Sequence, residues 1–334
     1  MDDAKAQQMA DEHIGTCFDG WSVEEYVNHG KSAAVFRATK AGRSAALKLF
    51  DPELSARFGR AAQIERIRRE TSLVGKSHPN LVSVYGGGEE RGLLFVIMEY
   101  FDGPNLAEAL KDVPASRVRP IIAQIASAAR FLEDSAFAHR DIKPENIGIT
   151  RDWQTAKLLD LGVIRPLDFS NVTDEGEQRF FVATLQYSPP ELLFRREDDS
   201  IEAWRAITFY QLGAVLHDLL MRKPLFQESS QPWGRLVIAV EREIPQMTAD
   251  GPDADLRLLA QNCLAKVARQ RLETVEWDDF IRPKQGDPLD AARQSIARHR
   301  VAAAQTSTLR PRPDDPTHQQ LYVLRNAIDS PVVQ

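Results

Sequence analysis

The chain has 334 residues, a formal net charge of -6 and two cysteines, Cys17 and Cys263. That length can bury a large core, and the acidic balance gives no electrostatic case for a nucleic-acid or anionic-membrane partner. Two distant cysteines build no disulfide framework. No apolar run approaches the roughly 20 residues needed to span a bilayer, and the polar stretch Met1 to Asp11 does not read as a secretory signal. A cytoplasmic, reduced protein is the expectation.

Residues 1–20 carry little pattern and are expected as an arm, either mobile or folded as a short helix against the first sheet. From Trp21 to Phe50 polar and apolar residues alternate in three runs, Trp21–Val27, Ala34–Ala38 and Ala45–Phe50, as paired strands do. Lys40-Ala41-Gly42-Arg43 supplies a turn. Residues 52–76 read as a helix with Ala62, Ile64, Ile67 and Leu73 among its apolar positions and basic residues outside. Two further strand-like runs, Leu81–Tyr85 and Leu93–Met98, flank Gly86-Gly87-Gly88. No helix follows those glycines, so they read as a turn between neighbouring strands. Ser116 opens a helix whose Val118, Ile121, Ile122, Ile125, Ala129 and Leu132 share one face, a core stripe.

The densest chemistry follows. His139-Arg140-Asp141-Ile142-Lys143-Pro144-Glu145-Asn146 precedes a short strand, Ala156–Leu159, which runs into Asp160-Leu161-Gly162. Further on stand Ala183-Thr184-Leu185-Gln186-Tyr187-Ser188-Pro189-Pro190-Glu191 and the apolar run Phe209–Leu220. The first two motifs resemble the H-R-D-x-K-x-x-N catalytic loop and D-F-G motif of eukaryotic-type (Hanks-type) Ser/Thr protein kinases. The third resembles their G-T-x-x-Y-x-A-P-E, and the style is similar to bacterial members.

The resemblance implies an α+β, bilobal fold: a small antiparallel β-sheet lobe with an αC helix, and a larger, mainly helical lobe. It divides the chain into an arm (1–20), a kinase domain (21–283; small lobe 21–97, hinge 98–103, large lobe 104–283) and a C-terminal tail (284–334). It implies ATP and Mg2+ as cofactors and protein substrates, this chain among them. Asp141 is then the catalytic aspartate that orients the substrate hydroxyl, Lys143 the cation that offsets phosphoryl charge, and Asn146 and Asp160 the metal ligands. Lys48 in Ala46-Leu47-Lys48 would hold the α- and β-phosphates. Glu70 is its expected partner, with Glu65 as the alternative. Thr184 would link Lys143 to the catalytic loop, and Glu191 would pair with Arg271.

The phosphate loop departs from the family. Asn28 to Val35 keeps only Gly30 of three glycines, although Asn28 tolerates positive φ and Ala33 is small. Lys31 and Ser32 at its tip are equally readable as phosphate contacts or as solvated residues. Val35 and Ala46 would cover the adenine, Met98 would be the gatekeeper, and backbone near Glu99 and Phe101 would read the base edge. Gly148 stands where the family places a floor leucine. The expectation is a deeper pocket and weaker ATP binding, unless Ile147 or Ile149 shifts in.

A second departure is Thr208, where the family has an aspartate that anchors the catalytic-loop backbone. Arg140 usually accompanies a phosphorylated activation segment, for which Ser170 and Thr173 are available. In the tail, residues 289–305 can form an Ala/Arg-rich helix. Packing on the large lobe, a partner-binding segment and disorder all remain open for it. The expected activity is transfer of the ATP γ-phosphate to serine or threonine, autophosphorylation included; a pseudokinase-like scaffold and a small-molecule kinase are the other readings.

Overall fold

The computed structural model describes residues 1–30, 32–53, 59–162, 164–166, 185–247 and 253–281. Lys31, Ser170, Thr173, Thr184 and the whole tail, including 289–305, lie outside the described residues.

The chain opens with helix α1 (Asp3–His13), whose N-terminal amide at Lys5 is capped by the Asp2 carboxylate at 2.8 Å. This is the helical form of the expected arm, and it is seated: Met9 and Ala10 are buried in one cluster with Phe18, Trp21 and Phe36. Strands β1 (Cys17–Phe18), β2 (Trp21–His29), β3 (Ala33–Lys40) and β4 (Arg43–Phe50) follow as an antiparallel meander. Its turn at Ala41 and Gly42 has φ of 51° and 78°, positive values that suit the twist of a tight hairpin. Helix α2 (Arg60–Thr71) then crosses to β5 (Val84–Glu90) and β6 (Leu93–Glu99), completing a six-stranded sheet ordered β1-β2-β3-β4-β6-β5.

The three glycines are not the turn. Gly86, Gly87 and Gly88 lie inside β5, and the hairpin turns instead at Arg91 and Gly92, with φ of 53° and 78°. The reason is close approach: a Cβ on Gly87 would lie 2.8 Å from the Phe95 carbonyl oxygen and 3.0 Å from Thr71 Cγ2. Bare backbone at that point lets α2 press onto the sheet edge.

Below the sheet the body is helical. Helix α3 (Val118–Asp134) buries the predicted stripe completely or nearly so. Short strands β7 (Phe137–Ala138), β8 (Ile147–Ile149), β9 (Ala156–Leu158) and β10 (Arg165–Pro166) pair as β7 with β10 and β8 with β9. Helix α4 (Ile201–Met221), capped by Ser200, is buried along nearly all of 204–219. A helix apolar on every side belongs at the centre, and α5 (Trp233–Arg242), α6 (Ala254–Cys263), α7 (Ala268–Thr274) and α8 (Trp277–Ile281) complete the body around it. Gly213 of α4 meets the Cys263 side chain where a Cβ would stand, so α6 rides directly on the α4 backbone.

Three side-chain systems tie other segments to α4. Arg271, fully buried, donates from Nε to the Ala206 carbonyl at 2.9 Å and from Nη1 to the Ala265 carbonyl at 2.6 Å, and its Nη2 pairs with Glu191. The Tyr187 hydroxyl donates to Asp218 Oδ2 at 2.6 Å, while His217 Nδ1 lies 3.0 Å from Oδ1 of the same carboxylate. Gln211 reaches the loop after β7. Among the described residues no helix is long and apolar enough to cross a membrane.

Candidate active site

The loop after β7 begins with two buried residues, His139 and Arg140. Arg140 adopts φ 73°, and its guanidinium lies over the Trp204 ring at 5.2 Å. Asp141 then turns toward the cleft, with Oδ2 accepting from Lys143 Nζ at 2.8 Å and from Asn146 Nδ2 at 2.9 Å. Asn146 Nδ2 also donates to the Asp141 carbonyl at 2.8 Å. With its amide donors engaged, the Asn146 side chain has its oxygen left as an acceptor.

His139 is held neutral. Burial is the main cause and pushes its pKa down from 6.5 to about 4 against the pull of Asp141 and Asp160. The unfolded chain therefore takes up this proton first, so stability is full above about pH 6.5 and drains as pH falls toward 4. The loss expected is about 3 kcal/mol, from about 1.4 kcal/mol per pKa unit. Denaturant midpoints between pH 7 and 4.5 should drop more steeply for the parent than for His139→Leu. Parallel profiles would remove this contribution.

The opposite wall is set by β9, which delivers Asp160. The Asn146 carbonyl accepts from Leu159 N–H at 2.9 Å, joining the two motifs directly. Asp160 Oδ1 accepts from Lys48 Nζ at 2.9 Å and from Gly162 N–H at 3.0 Å. Burial alone would raise its pKa, but Lys48, Arg66 and these hydrogen bonds outweigh it and hold the carboxyl far below the usual range.

Glu70 is placed differently from the expectation. It is fully buried on α2, and its ion pair is with Arg66 Nε at 3.6 Å, one turn earlier on the same helix. Lys48 is committed to Asp160 instead. The charge of Lys48 is still felt, since it lowers the Glu70 pKa, yet burial wins and the net shift is upward. The alternative, Glu65, pairs with Arg68 and Arg69 at 3.8 Å each. Arg66 explains the arrangement: its guanidinium packs against Gly162, in the space a side chain there would take. It brings a second cation to Asp160.

At the nucleotide end, β3 and β4 present Val35 and Ala46, with Val35 opposite Lys48 in register and Met98 of β6 opposite Ala46. The Glu99 carboxylate pairs with Lys157 Nζ at 2.5 Å and accepts from Ser83 N–H at 3.2 Å, which fastens the crossover strand to β9. Asn28 is regular strand opposite Val35, without the positive φ its identity would permit. Gly30 N–H closes the β2–β3 hairpin on the Ala33 carbonyl at 2.8 Å, and a Cβ there would meet open space. Nothing in this conformation demands glycine at position 30.

Gly148 carries a correction. The floor is filled, and neither Ile147 nor Ile149 does it. A Cβ on Gly148 would stand 2.6 Å from Phe101 Cδ1, 2.7 Å from Phe101 Cε1 and 3.1 Å from Leu159 Cδ1. Gly103 yields to the same ring, at 2.9 Å from Cε1. The Phe101 side chain is thus wedged between two glycines where a leucine was expected to be missing. Gly148→Leu should overpack by about 1–3 kcal/mol, lowering the melting temperature and weakening nucleotide binding; Phe101→Ala in the same chain should recover much of both. A tolerant Gly148→Leu in melting and nucleotide titration would mean the ring moves aside freely.

Asn28, Gly30, Val35, Ala46, Lys48, Met98, Glu99, Phe101, Asp141, Lys143, Asn146 and Asp160 all line one cleft of about 1340 Å³. Ligand pockets commonly measure roughly 300–1,000 Å³, so a nucleotide and part of an acceptor have room. Arg66, Leu159 and Met1 line it too. Leu159 was marked only by adjacency to Asp160, and nothing in the sequence marked Arg66 or Met1. Thr208 does not reach the catalytic loop: its hydroxyl turns back to donate to the Trp204 carbonyl at 2.9 Å.

Among the described residues no group of three or more His, Cys, Asp or Glu forms a ready-made metal cage. Mg2+ needs less, because it keeps waters and takes phosphate oxygens beside one or two carboxylates. An ionised Asp160 with the Asn146 amide joined to it through Leu159 fits that donor set.

Residues 21–278 match the family model for the protein kinase domain, and the chain belongs to that family. The chain is 32% identical over 213 residues to the serine/threonine-protein kinase PknJ of Mycobacterium tuberculosis, covering 62% of this chain and 34% of PknJ. It is 30% identical over 252 residues to the serine/threonine-protein kinase PknB of Mycobacterium leprae, covering 72% and 38%. An Aurora kinase of Candida glabrata is 26% identical over 270 residues, covering 77% and 70%. The chain therefore spans little more than a third of the mycobacterial relatives' length.

Proposed function

We propose that the protein is a Ser/Thr protein kinase that transfers the γ-phosphoryl group of ATP to protein hydroxyls, its own included. The observation that carries this reading is the joined pair of motifs: Asp141, Lys143 and Asn146 in one hydrogen-bonded cluster, with Lys48 and Asp160 facing the same cleft. Phosphoryl transfer asks the protein chiefly for positioning and charge, and these residues supply both. Asp141 orients the acceptor hydroxyl and takes its proton as the new O–P bond forms and the bond from the γ-phosphorus to the bridging oxygen of ADP breaks. Lys143 offsets charge on the group in flight.

Mg2+, when bound, neutralises phosphate charge, and Asp160 and Asn146 are the residues that would hold it. For that role Asp160 must release Lys48. The buried Glu70 carboxylate is then the group placed to receive the lysine while it engages the nucleotide phosphates. We assign the cytoplasm as the site of action and residues 21–283 as the catalytic unit.

The test is transfer of labelled phosphate from Mg-ATP to a generic protein acceptor, set beside sugars and aminoglycosides, followed by phosphoamino-acid analysis. Phosphoserine or phosphothreonine is expected. Phosphotyrosine alone, or phosphate on the small molecules alone, would overturn the reading.

A further inference from the structure

Gln211 sits in α4 with 1% of its surface exposed, three residues beyond Thr208. Its side-chain amide makes two opposed hydrogen bonds to the catalytic loop. Nε2 donates to the Arg140 carbonyl at 2.7 Å, and Oε1 accepts from the Ile142 N–H at 3.3 Å. These backbone groups lie immediately before and after Asp141. Arg140 also holds φ 73°, a left-handed conformation disfavoured for a residue with a Cβ and kept only where its surroundings impose it. Both bonds are buried, so losing the amide would strip partners from backbone groups that water cannot easily reach.

We propose that Gln211 is the positioning residue of the catalytic loop, a neutral clamp from the core helix that fixes the direction in which Asp141 points. The inference rests on the kinase reading and adds a residue to it. The chemistry selects an amide. One carbonyl must be given a proton and one N–H must be accepted from, and an uncharged amide does both at once. A carboxylate accepts only, and a thioether offers little of either. Thr208 cannot share the task, because its hydroxyl is spent on Trp204.

Two variants of similar volume separate the clamp from simple packing. Gln211→Met loses both hydrogen bonds, and Gln211→Glu keeps an acceptor for Ile142 while turning a second acceptor toward the Arg140 carbonyl. In both, kcat is expected to fall about tenfold to a hundredfold, the scale of a small misplacement of a catalytic group. KM for ATP should stay within about twofold, because the clamp acts on the loop rather than on the nucleotide. Deuterium exchange in peptides covering 139–142 should quicken in both variants. A purely structural role would lower melting without that kcat-only split.

A folded Gln211→Met with parental kcat and parental exchange would overturn the proposal, as would a kcat loss that merely follows the folded fraction. If Gln211→Met does not fold, Gln211→Glu carries the same test. If the parent itself transfers no phosphate, the kinase reading falls separately. Exchange at 139–142 then decides the clamp alone: faster exchange in the variants upholds it and unchanged exchange removes it.

Discussion

Asp141→Asn should reduce phosphate transfer about a hundredfold to ten-thousandfold, the usual contribution of a positioned acid or base, and leave melting close to the parent's. The asparagine has the same outline, and Asn146 can still donate to the main-chain carbonyl of residue 141, where that bond now measures 2.8 Å. The carboxylate oxygen that accepts from both Lys143 and Asn146 becomes one end of an amide, unable to take a proton from the acceptor hydroxyl. Because the side chains of Lys143 and Asp141 are 16% and 17% exposed to the cleft, water can replace part of what the lysine loses. The measurement is steady-state transfer by purified Asp141→Asn made free of other kinases, beside its melting curve. Undiminished transfer would sink the assignment of Asp141.

Arg271→Met should act the other way, on stability first. The arginine is completely buried, and burial pushes its pKa down from 12.5 to about 9. Removing it leaves the Glu191 carboxylate without its cation and the Ala206 and Ala265 carbonyls without their donor. Breaking one side of a buried ion pair typically costs about 3–5 kcal/mol. Urea unfolding of Arg271→Met should show a loss of that order, and adding Glu191→Leu should recover part of it, since the orphaned charge goes too. A loss below about 1 kcal/mol would mean the surrounding groups rearrange to satisfy themselves.

What the sequence disclosed depended on how far apart the interacting residues lie. Asp141, Lys143 and Asn146 fall within one loop, so their order nearly dictates that they meet. The α3 stripe was equally plain, because a period of 3.6 residues is a local property. Gly86 to Gly88 were misread for the opposite reason. Their use depends on Thr71 pressing on the sheet from another element, and no periodicity in β5 records that. Gln211 is harder still. On a helix buried all round, a polar residue does not stand out by face, and the sequence pointed three positions earlier, to Thr208. Phe101 and Gly148 are 47 positions apart in the numbering, and only the folded chain shows that one fills the space the other vacates. Glu70 was found as a buried carboxylate on the right helix. Its pairing was misjudged because Lys48 has Asp160 within reach and Glu70 has Arg66, a competition among charges that spacing cannot decide.

Helix α4 holds the loop of Asp141 through Gln211, the segment of Tyr187 through Asp218, and Glu191 through the arginine bonded at Ala206. The phosphate-transfer half of the cleft is therefore bolted to one rod, whereas the hairpin at Gly30 touches nothing at its tip glycine. Proteins open in cooperative pieces of unequal free energy. The hairpin belongs to the cheap openings, able to admit and release nucleotide many times while the rod stays shut. Asp141, Tyr187 and Glu191 should instead be lost together, in the same event that melts the core, so that inactivation by heat has a single threshold rather than a slow decline.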